Sequence, residues 1–336
     1  MKKKLVLRAD GNTTIGFGHV YRLLALADIL KGDFEIVFAI STSEKLLLEV
    51  ISSYSDKIIS LPAYNYTLPD QKKEDEEMSF DLGGFLSGDE IVVTDGYWFG
   101  EQYQKAVKKT KAKLVCIDDF AENYFYADAV INHAPGVKVS DYRGEPYTKY
   151  FLGLDYALLR KNFFSPFSPN HKTGSLLIGM GGSDPYGITE KVLNAVIHSH
   201  RFSEIHLLAP ALFTEKKMAG ICEGAANVNC VFHKNLNADA LVTLMDNCKY
   251  AIVSASTLLL EFYSRGIICM TGYYTPNQKS IYNGFVNDYK AIGLGDLNNF
   301  EPKEVIEAMN RQLNVQPLKA PLHSYSNIKK IFTGLC

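Results

Sequence analysis

The sequence predicts an α/β protein built from two doubly wound domains, and three observations carry that expectation. Short apolar runs rich in Val, Ile and Leu alternate with helical segments along the chain. The alternation is interrupted once, by a Pro-, Ser- and Asn-containing stretch over residues 161–174, and then starts again. In each half a glycine-bearing turn lies directly between the first strand and the first helix. Strands separated by helices of this length pair in parallel, and a parallel sheet needs helices on both faces. At 336 residues the chain suits about two domains. Their expected spans are 1–165 and 172–330.

In the first half, Leu5-Val6-Leu7 is a strand, and Val20 to Leu30 carries apolar residues at helical spacing. Phe34 to Ile40 is the next strand and Glu44 to Ile51 the next helix. Ile91 to Thr94 and Lys113 to Ile117 are apolar strands separated by the amphipathic Glu101 to Lys109, and Ala129-Val130-Ile131 closes the series. The acidic run Glu74 to Glu77, within Pro69 to Met78, reads as a solvated surface stretch. In the second half, strands are expected at Ser175 to Met180, Ile205 to Leu208, Val228 to Phe232, Tyr250 to Val253 and Ile267 to Met270. Helices fall at Thr189 to Ile197, Leu241 to Asp246 and Leu258 to Ser264. In such sheets ligands bind beyond the carboxyl ends of the strands, where helix N-termini attract phosphate. Two such domains facing across a cleft suit an extended ligand.

Composition narrows the partners. Hydrophobic residues make up 47% and charged residues 21%, as in a globular protein with a sizeable core. A net charge of -2 gives no footprint for nucleic acid or a membrane surface, and no stretch approaches a membrane span. Lys2-Lys3-Lys4 reads as a solvated N-terminus, and Arg8 and Asp10 cut short the apolar run that a signal peptide would need. The six cysteines, Cys116, Cys222, Cys230, Cys248, Cys269 and Cys336, are scattered with no CxxC, and read as reduced thiols of a cytoplasmic protein.

Three constellations carry chemistry. The first is the loop from Arg8 to Arg22, in which Asp10 ends a strand and Gly16-Phe17-Gly18-His19 opens a helix. Gly16 and Gly18 let backbone approach a ligand. A histidine at a positive helix end is disfavoured as imidazolium, and a neutral imidazole suits proton abstraction from water. The plain alternative is a helix-capping histidine. Asp10, Gly18 and Arg22 accompany His19 as candidate substrate contacts. No GxGxxG or Walker A sequence is present, which argues against nicotinamide chemistry and ATP hydrolysis.

The second is Gly179-Met180-Gly181-Gly182-Ser183-Asp184-Pro185, again between strand and helix. Gly182, Ser183 and Asp184 would hold a phosphate on backbone N–H groups or cap the helix. The third is Ser254-Ala255-Ser256-Thr257 with Glu261, followed by Pro276-Asn277-Gln278. Ser256 and Thr257 suit a diphosphate, Glu261 the two ribose hydroxyls or an ordinary helix surface, and Asn277 and Gln278 sugar substituents.

In this order the GxGH loop, the GGSDP turn, the AxST…E segment and the NQ pair resemble the UDP-2,4-diacetamido-2,4,6-trideoxy-β-L-altropyranose hydrolases of the pseudaminic acid pathway. Asp95-Gly96-Tyr97, Ile117-Asp118-Asp119, Val130-Ile131-Asn132 and Gly153 to Arg160 fit the same pattern, so the likeness runs from Arg8 to Asn283. Leu23 follows Arg22 where many members have Cys, and the acidic stretch near 70–78 has the character of an insertion. The resemblance implies two Rossmann-like domains in the GT-B arrangement, an inverting attack of water at the anomeric carbon, and release of UDP. It puts the general base on His19 and substrate contacts on Tyr97, Asn132 and Asn277. No Asp-x-Asp and no His/carboxylate cluster at metal spacing occurs, so neither metal nor cofactor is expected. A GT-B glycosyltransferase and a nucleotide-sugar-binding protein without turnover are the competing readings.

Overall fold

The computed structural model describes residues 2–12, 15–42, 44–62, 64, 78–166, 173–182, 184, 186–197, 199, 201–210, 214, 216, 220, 228–299, 301–312 and 323–336. Two compact units divide the chain, one formed by Met1–Lys161 with Leu322–Cys336, the other by Asn162–Pro321.

The first unit holds strands β1 (Lys3–Ala9), β2 (Phe34–Ile40), β3 (Lys57–Ser60), β4 (Ile91–Asp95), β5 (Lys113–Ile117), β6 (Tyr124–Phe125), β7 (Ala129–Asn132), β8 (Arg143–Gly144) and β9 (Lys149–Leu152). Its helices are α1 (Gly18–Leu30), α2 (Lys45–Ser52) and α3 (Glu101–Lys109). The main sheet runs β3-β2-β1-β4-β5-β7-β9, while β6 and β8 form a separate pair. Every pairing in the main sheet is parallel. Alternate residues of each strand enter two different cores. Leu5, Leu7, Ile36, Phe38, Ile91 and Val93 join one. Val6, Val37, Val92, Leu114 and Cys116 join the other. Burial on both faces is why these strands read as continuous apolar runs.

The second unit repeats the plan with β10 (Thr173–Gly179), α4 (Ile188–Ile197), β11 (Glu204–Leu208), β12 (Asn229–His233), α5 (Ala238–Asp246), β13 (Cys248–Ser254), α6 (Thr257–Ser264), β14 (Ile268–Tyr273), α7 (Lys279–Asp288), β15 (Ile292–Asp296) and α8 (Pro302–Gln312). The strand order is β12-β11-β10-β13-β14-β15, parallel throughout. In each sheet the winding direction reverses once, between β1 and β4 and between β10 and β13. The loops leaving those strands flank the crevice where doubly wound sheets hold ligands. The loop after β1 leads into α1, whose first turn carries His19, and the loops after β10 and β13 carry Gly182 and Ser256.

Several expectations need correction. The last helix, α9 (Ser324–Thr333), belongs to the first unit and not to a second domain reaching 330. Ile328, Ile331 and Phe332 repeat on one helix face and enter the core beside Phe34, whose ring meets Phe332 at 6.3 Å, and Lys329 pairs with Asp33 at 2.8 Å. The stretch read as linker contributes a 3₁₀ turn over Lys161–Phe164, and its end begins β10. Met78, expected at the surface, is buried, with its sulfur 3.1 Å from Arg8 Nη2. The acidic residues before it, 65–77, lie outside the described residues, as does Cys222. Cys116, Cys248 and Cys269 are buried, whereas Cys336 is exposed. Among the described residues no helix is long and apolar enough to cross a membrane.

Candidate active site

The loop between β1 and α1 is closed on itself. Asn12 N–H donates to Gly16 O at 3.2 Å, Asn12 Oδ1 accepts from Ile15 N–H at 3.0 Å, and Gly16 sits at φ 77°. A left-handed residue there is natural only for glycine. At exposed Gly18 an added Cβ would meet nothing within 4 Å, so the backbone at the helix start faces open space. His19, one residue later, is 7% exposed.

His19 Nδ1 lies 2.7 Å from Asp95 Oδ1, at the carboxyl end of β4. A carboxylate only accepts, so this contact puts the proton on Nδ1 and leaves Nε2 with its lone pair. Arg22 Nη2 is 3.4 Å from the same Nδ1, and between two donors that approach is no hydrogen bond. Among the described residues Nε2 has no partner. The carboxylate, and not only the helix end, selects the tautomer.

Arg22 stands one turn along α1, and its guanidinium bridges two carboxylates. Nε and Nη2 grip Asp95 at 2.7 and 2.5 Å, while Nη1 and Nη2 grip Asp119 at 2.6 and 3.1 Å. Tyr97 donates its hydroxyl to Asp119 Oδ2 at 3.1 Å and packs its ring edge-on to His19 at 4.7 Å. Burial works against ionisation of Asp119, but the Arg22 charge and hydrogen bonds prevail and hold its carboxyl well below the usual range. Burial, followed by the charge of Asp119, pushes the Tyr97 phenol well above its usual value. Tyr97 therefore serves as a neutral donor. Asp95 and Asp119 as partners of His19 and Arg22 were not singled out in the sequence. The available signal was a polar residue closing, or directly following, an apolar strand.

Asp10 and Asn132 end strands of the same sheet, and their side chains bond within the protein. Asp10 pairs with buried Arg8 at 2.6 Å and accepts the Ser41 N–H at 2.6 Å. Asp81 takes the other side of Arg8 at 2.8 Å. Asn132 Oδ1 accepts from Ala134 N–H at 2.8 Å, and its amide donates to Tyr142 Oη at 2.9 Å, which in turn donates to Asp118 at 3.0 Å. These bonds fix the turn that carries His133, which is 2% exposed. Neither ring nitrogen of His133 has a hydrogen-bond partner among the described residues. Burial, and then the nearby Arg22 charge, lower its pKa to about 4, so the ring is neutral.

In the second unit the carboxylate of Asp184 accepts from the N–H groups of Ile188 and Thr189, both at 2.8 Å, and caps α4. Tyr274 donates to Met180 O at 2.7 Å, and Gln278 Oε1 accepts from Tyr274 N–H at 2.9 Å. The NQ turn and the GG turn thus share one edge of the sheet. Gly179 allows α6 to close on β10, since a Cβ there would lie 2.9 Å from Leu258 Cδ2. Ser256 is the N-cap of α6, its hydroxyl 3.2 Å from that of Ser254, and Thr257 begins the helix. Glu261 is buried at 9% exposure, Asn277 is half-buried, and Gly182 is exposed with open space at its Cα. Ser183 lies outside the described residues. Among the described residues no cluster of His, Cys, Asp or Glu is arranged to hold a metal ion.

No protein-family model matches the chain. An uncharacterised protein of Methanocaldococcus jannaschii is 26% identical over 326 residues, 93% of this chain, and the chain spans 63% of that relative's length. The UDP-2,4-diacetamido-2,4,6-trideoxy-beta-L-altropyranose hydrolase of Campylobacter jejuni is 24% identical, covering 82% of this chain and 94% of its own. The spore coat polysaccharide biosynthesis protein SpsG of Bacillus subtilis is 25% identical over 94% and 90%. Among solved structures, MurG of Acinetobacter baumannii aligns at TM-score 0.66 with 12% identity, covering 99% of this chain and 100% of its own. UGT71G1 of Medicago truncatula, complexed with UDP-glucose, aligns at 0.63 with 10% identity over 99% and 98%. The fold is therefore the α/β fold of the GT-B glycosyltransferases, with parallel sheets in two doubly wound domains.

Proposed function

We propose that this protein hydrolyses a UDP-activated sugar of the 2,4-diacetamido-2,4,6-trideoxy class at its anomeric carbon. The observation that carries the reading is the 2.7 Å contact between His19 and Asp95, which leaves Nε2 as the proton acceptor. The distant hydrolase relative from Campylobacter jejuni and the UDP-glucose complex of like fold support the ligand class. Nε2 takes a proton from water as its oxygen bonds to the anomeric carbon. The bond from that carbon to the diphosphate oxygen breaks, and the electron pair leaves on UDP. Asp95 stabilises the imidazolium that forms, as an oriented carboxylate does beside a catalytic histidine. Tyr97, at the edge of the His19 ring, steers the water or the sugar, and open backbone at Gly18 admits the substrate.

For the nucleotide, exposed Gly182 and the α6 start at Ser256 and Thr257 offer N–H groups to the diphosphate, and Glu261 the ribose contact. Asn277 reads the sugar. Asp10, Asn132, Asp184 and Gln278 act through the backbone they hold, because their polar atoms already bond within the protein. A base of this kind would equally deprotonate a sugar hydroxyl, so glycosyl transfer is the reading to test against. UDP release from a panel of UDP-sugars should proceed without an added acceptor and persist in EDTA. In ¹⁸O-water the label should enter the sugar, and His19→Asn should lower kcat about 10²-fold or more. Turnover only with a second sugar or lipid present would replace the hydrolase with a transferase.

A further inference from the structure

The buried charges around His19 do not balance. Arg22 contributes one positive charge against the two negative charges of Asp95 and Asp119, and all three side chains are nearly excluded from solvent. With His19 neutral the group carries one net negative charge, and a proton on His19 brings it to zero. The neighbouring groups supply no positive charge that would cancel it. Tyr97 is a neutral phenol and His133 a neutral ring, Arg8 faces the two carboxylates Asp10 and Asp81, and Asp118, whose carboxyl burial raises to about 6, lies beside Asp119 and can only add negative charge. Arg22 binds Asp95 by two hydrogen bonds, so alone the two would be a neutral pair with little attraction left for an imidazolium.

We propose that Asp119 is a positioning residue whose charge occupies Arg22, so that Asp95 keeps a net negative charge for the proton taken up by His19. Arg22 is then the strut between two carboxylates and makes no substrate contact. The proposal rests on His19 being the base of the reaction described above, but its first test needs no substrate. Asp119→Asn keeps the shape and an oxygen for Arg22 Nη1 while removing the charge. Followed by NMR against pH, proton uptake by His19 should weaken about tenfold or more, since buried charges a few ångströms apart interact by kcal/mol. Arg22→Gln should strengthen it by a similar factor. The double variant restores one net negative charge on Asp95 and should return uptake to within about threefold of wild type. Opposite single effects that cancel are not produced by loosened packing. If Asp119→Asn does not fold, Arg22→Gln alone decides: weaker or unchanged uptake there overturns the proposal. In turnover, Asp119→Asn should lower kcat about tenfold or more with KM nearly constant. Wild-type inertness towards every UDP-sugar would sink the hydrolase reading while leaving the proton-uptake result standing. Unchanged uptake in the two single variants would sink the Asp119 proposal.

Discussion

His133 and Asp118 pull the stability of the first unit in opposite directions as the pH falls, and single substitutions should expose each slope. His133 is buried and neutral, its pKa lowered from 6.5 to about 4 by burial and then by the Arg22 charge. Between those values the unfolded chain binds a proton that the native ring refuses, so acidification costs stability. Asp118 behaves oppositely. Burial, reinforced by the Asp119 charge and opposed by the Ala121 N–H and the Tyr142 hydroxyl, raises its carboxyl from 3.8 to about 6. Between 6 and 3.8 the native form binds the extra proton, so acidification adds stability. At about 1.36 kcal/mol per pH unit, the histidine removes about 2 to 3 kcal/mol by pH 4.5 and the aspartate returns about 2. Relative to wild type, His133→Phe should therefore gain about 2 to 3 kcal/mol between pH 7.5 and 4.5, whatever constant offset its packing introduces. Asp118→Asn should lose about 2 over the same interval. Trp98 is the only tryptophan in the chain and is buried in the first unit, so its fluorescence in urea titrations reports that unit. Parallel stability curves for wild type and His133→Phe would show that the native ring charges freely and would refute the assignment.

Three further outcomes follow from the same geometry. Asp95→Asn should leave KM within about threefold while kcat falls about 10²-fold or more, and unchanged kcat would detach His19 from the chemistry. Glu261→Ala should weaken UDP binding about tenfold in calorimetry, the value of one buried hydrogen bond to a charged group, and equal affinity would remove Glu261 from the nucleotide site. Gly179→Ala should destabilise the second unit by about 1 to 3 kcal/mol, because its Cβ would press on Leu258, Leu208 and Phe262. A melting temperature equal to wild type would show that α6 shifts without cost.

The alternation of apolar strands and helices was legible because parallel strands are buried on both faces. Phe34–Ile40 and Lys113–Ile117 fall where the pattern alone puts them. Lys57–Ser60 escaped notice because only Ile59 of its four residues is buried. Ile292–Asp296 escaped because glycines at 293 and 295 break its apolar run. Helix α9 lies beyond local reasoning altogether. Its apolar face at Ile328, Ile331 and Phe332 indicates that it packs, but which of the two units receives it depends on Phe34, far away in sequence.

The site shows the same division between residue and role. His19 stood out because GxGH follows a strand, and Arg22 stood out with it. Their partners lie 76 and 97 residues away, at Asp95 and Asp119, and only the strand order brings them near. A chain wound β3-β2-β1 and then β4-β5-β7 sets the ends of β1, β4, β5 and β7 side by side across the reversal. Each of these strands is followed or closed by a polar residue: Asp10, Asp95, Asp118 with Asp119, and Asn132 with His133. An apolar strand buried on both faces has no structural use for a charge at its carboxyl end unless that charge meets another. Four consecutive polar strand ends in one sheet therefore imply a buried polar network at the topological switch point. Strand order is what turns that implication into the particular pairs His19–Asp95 and Arg22–Asp119.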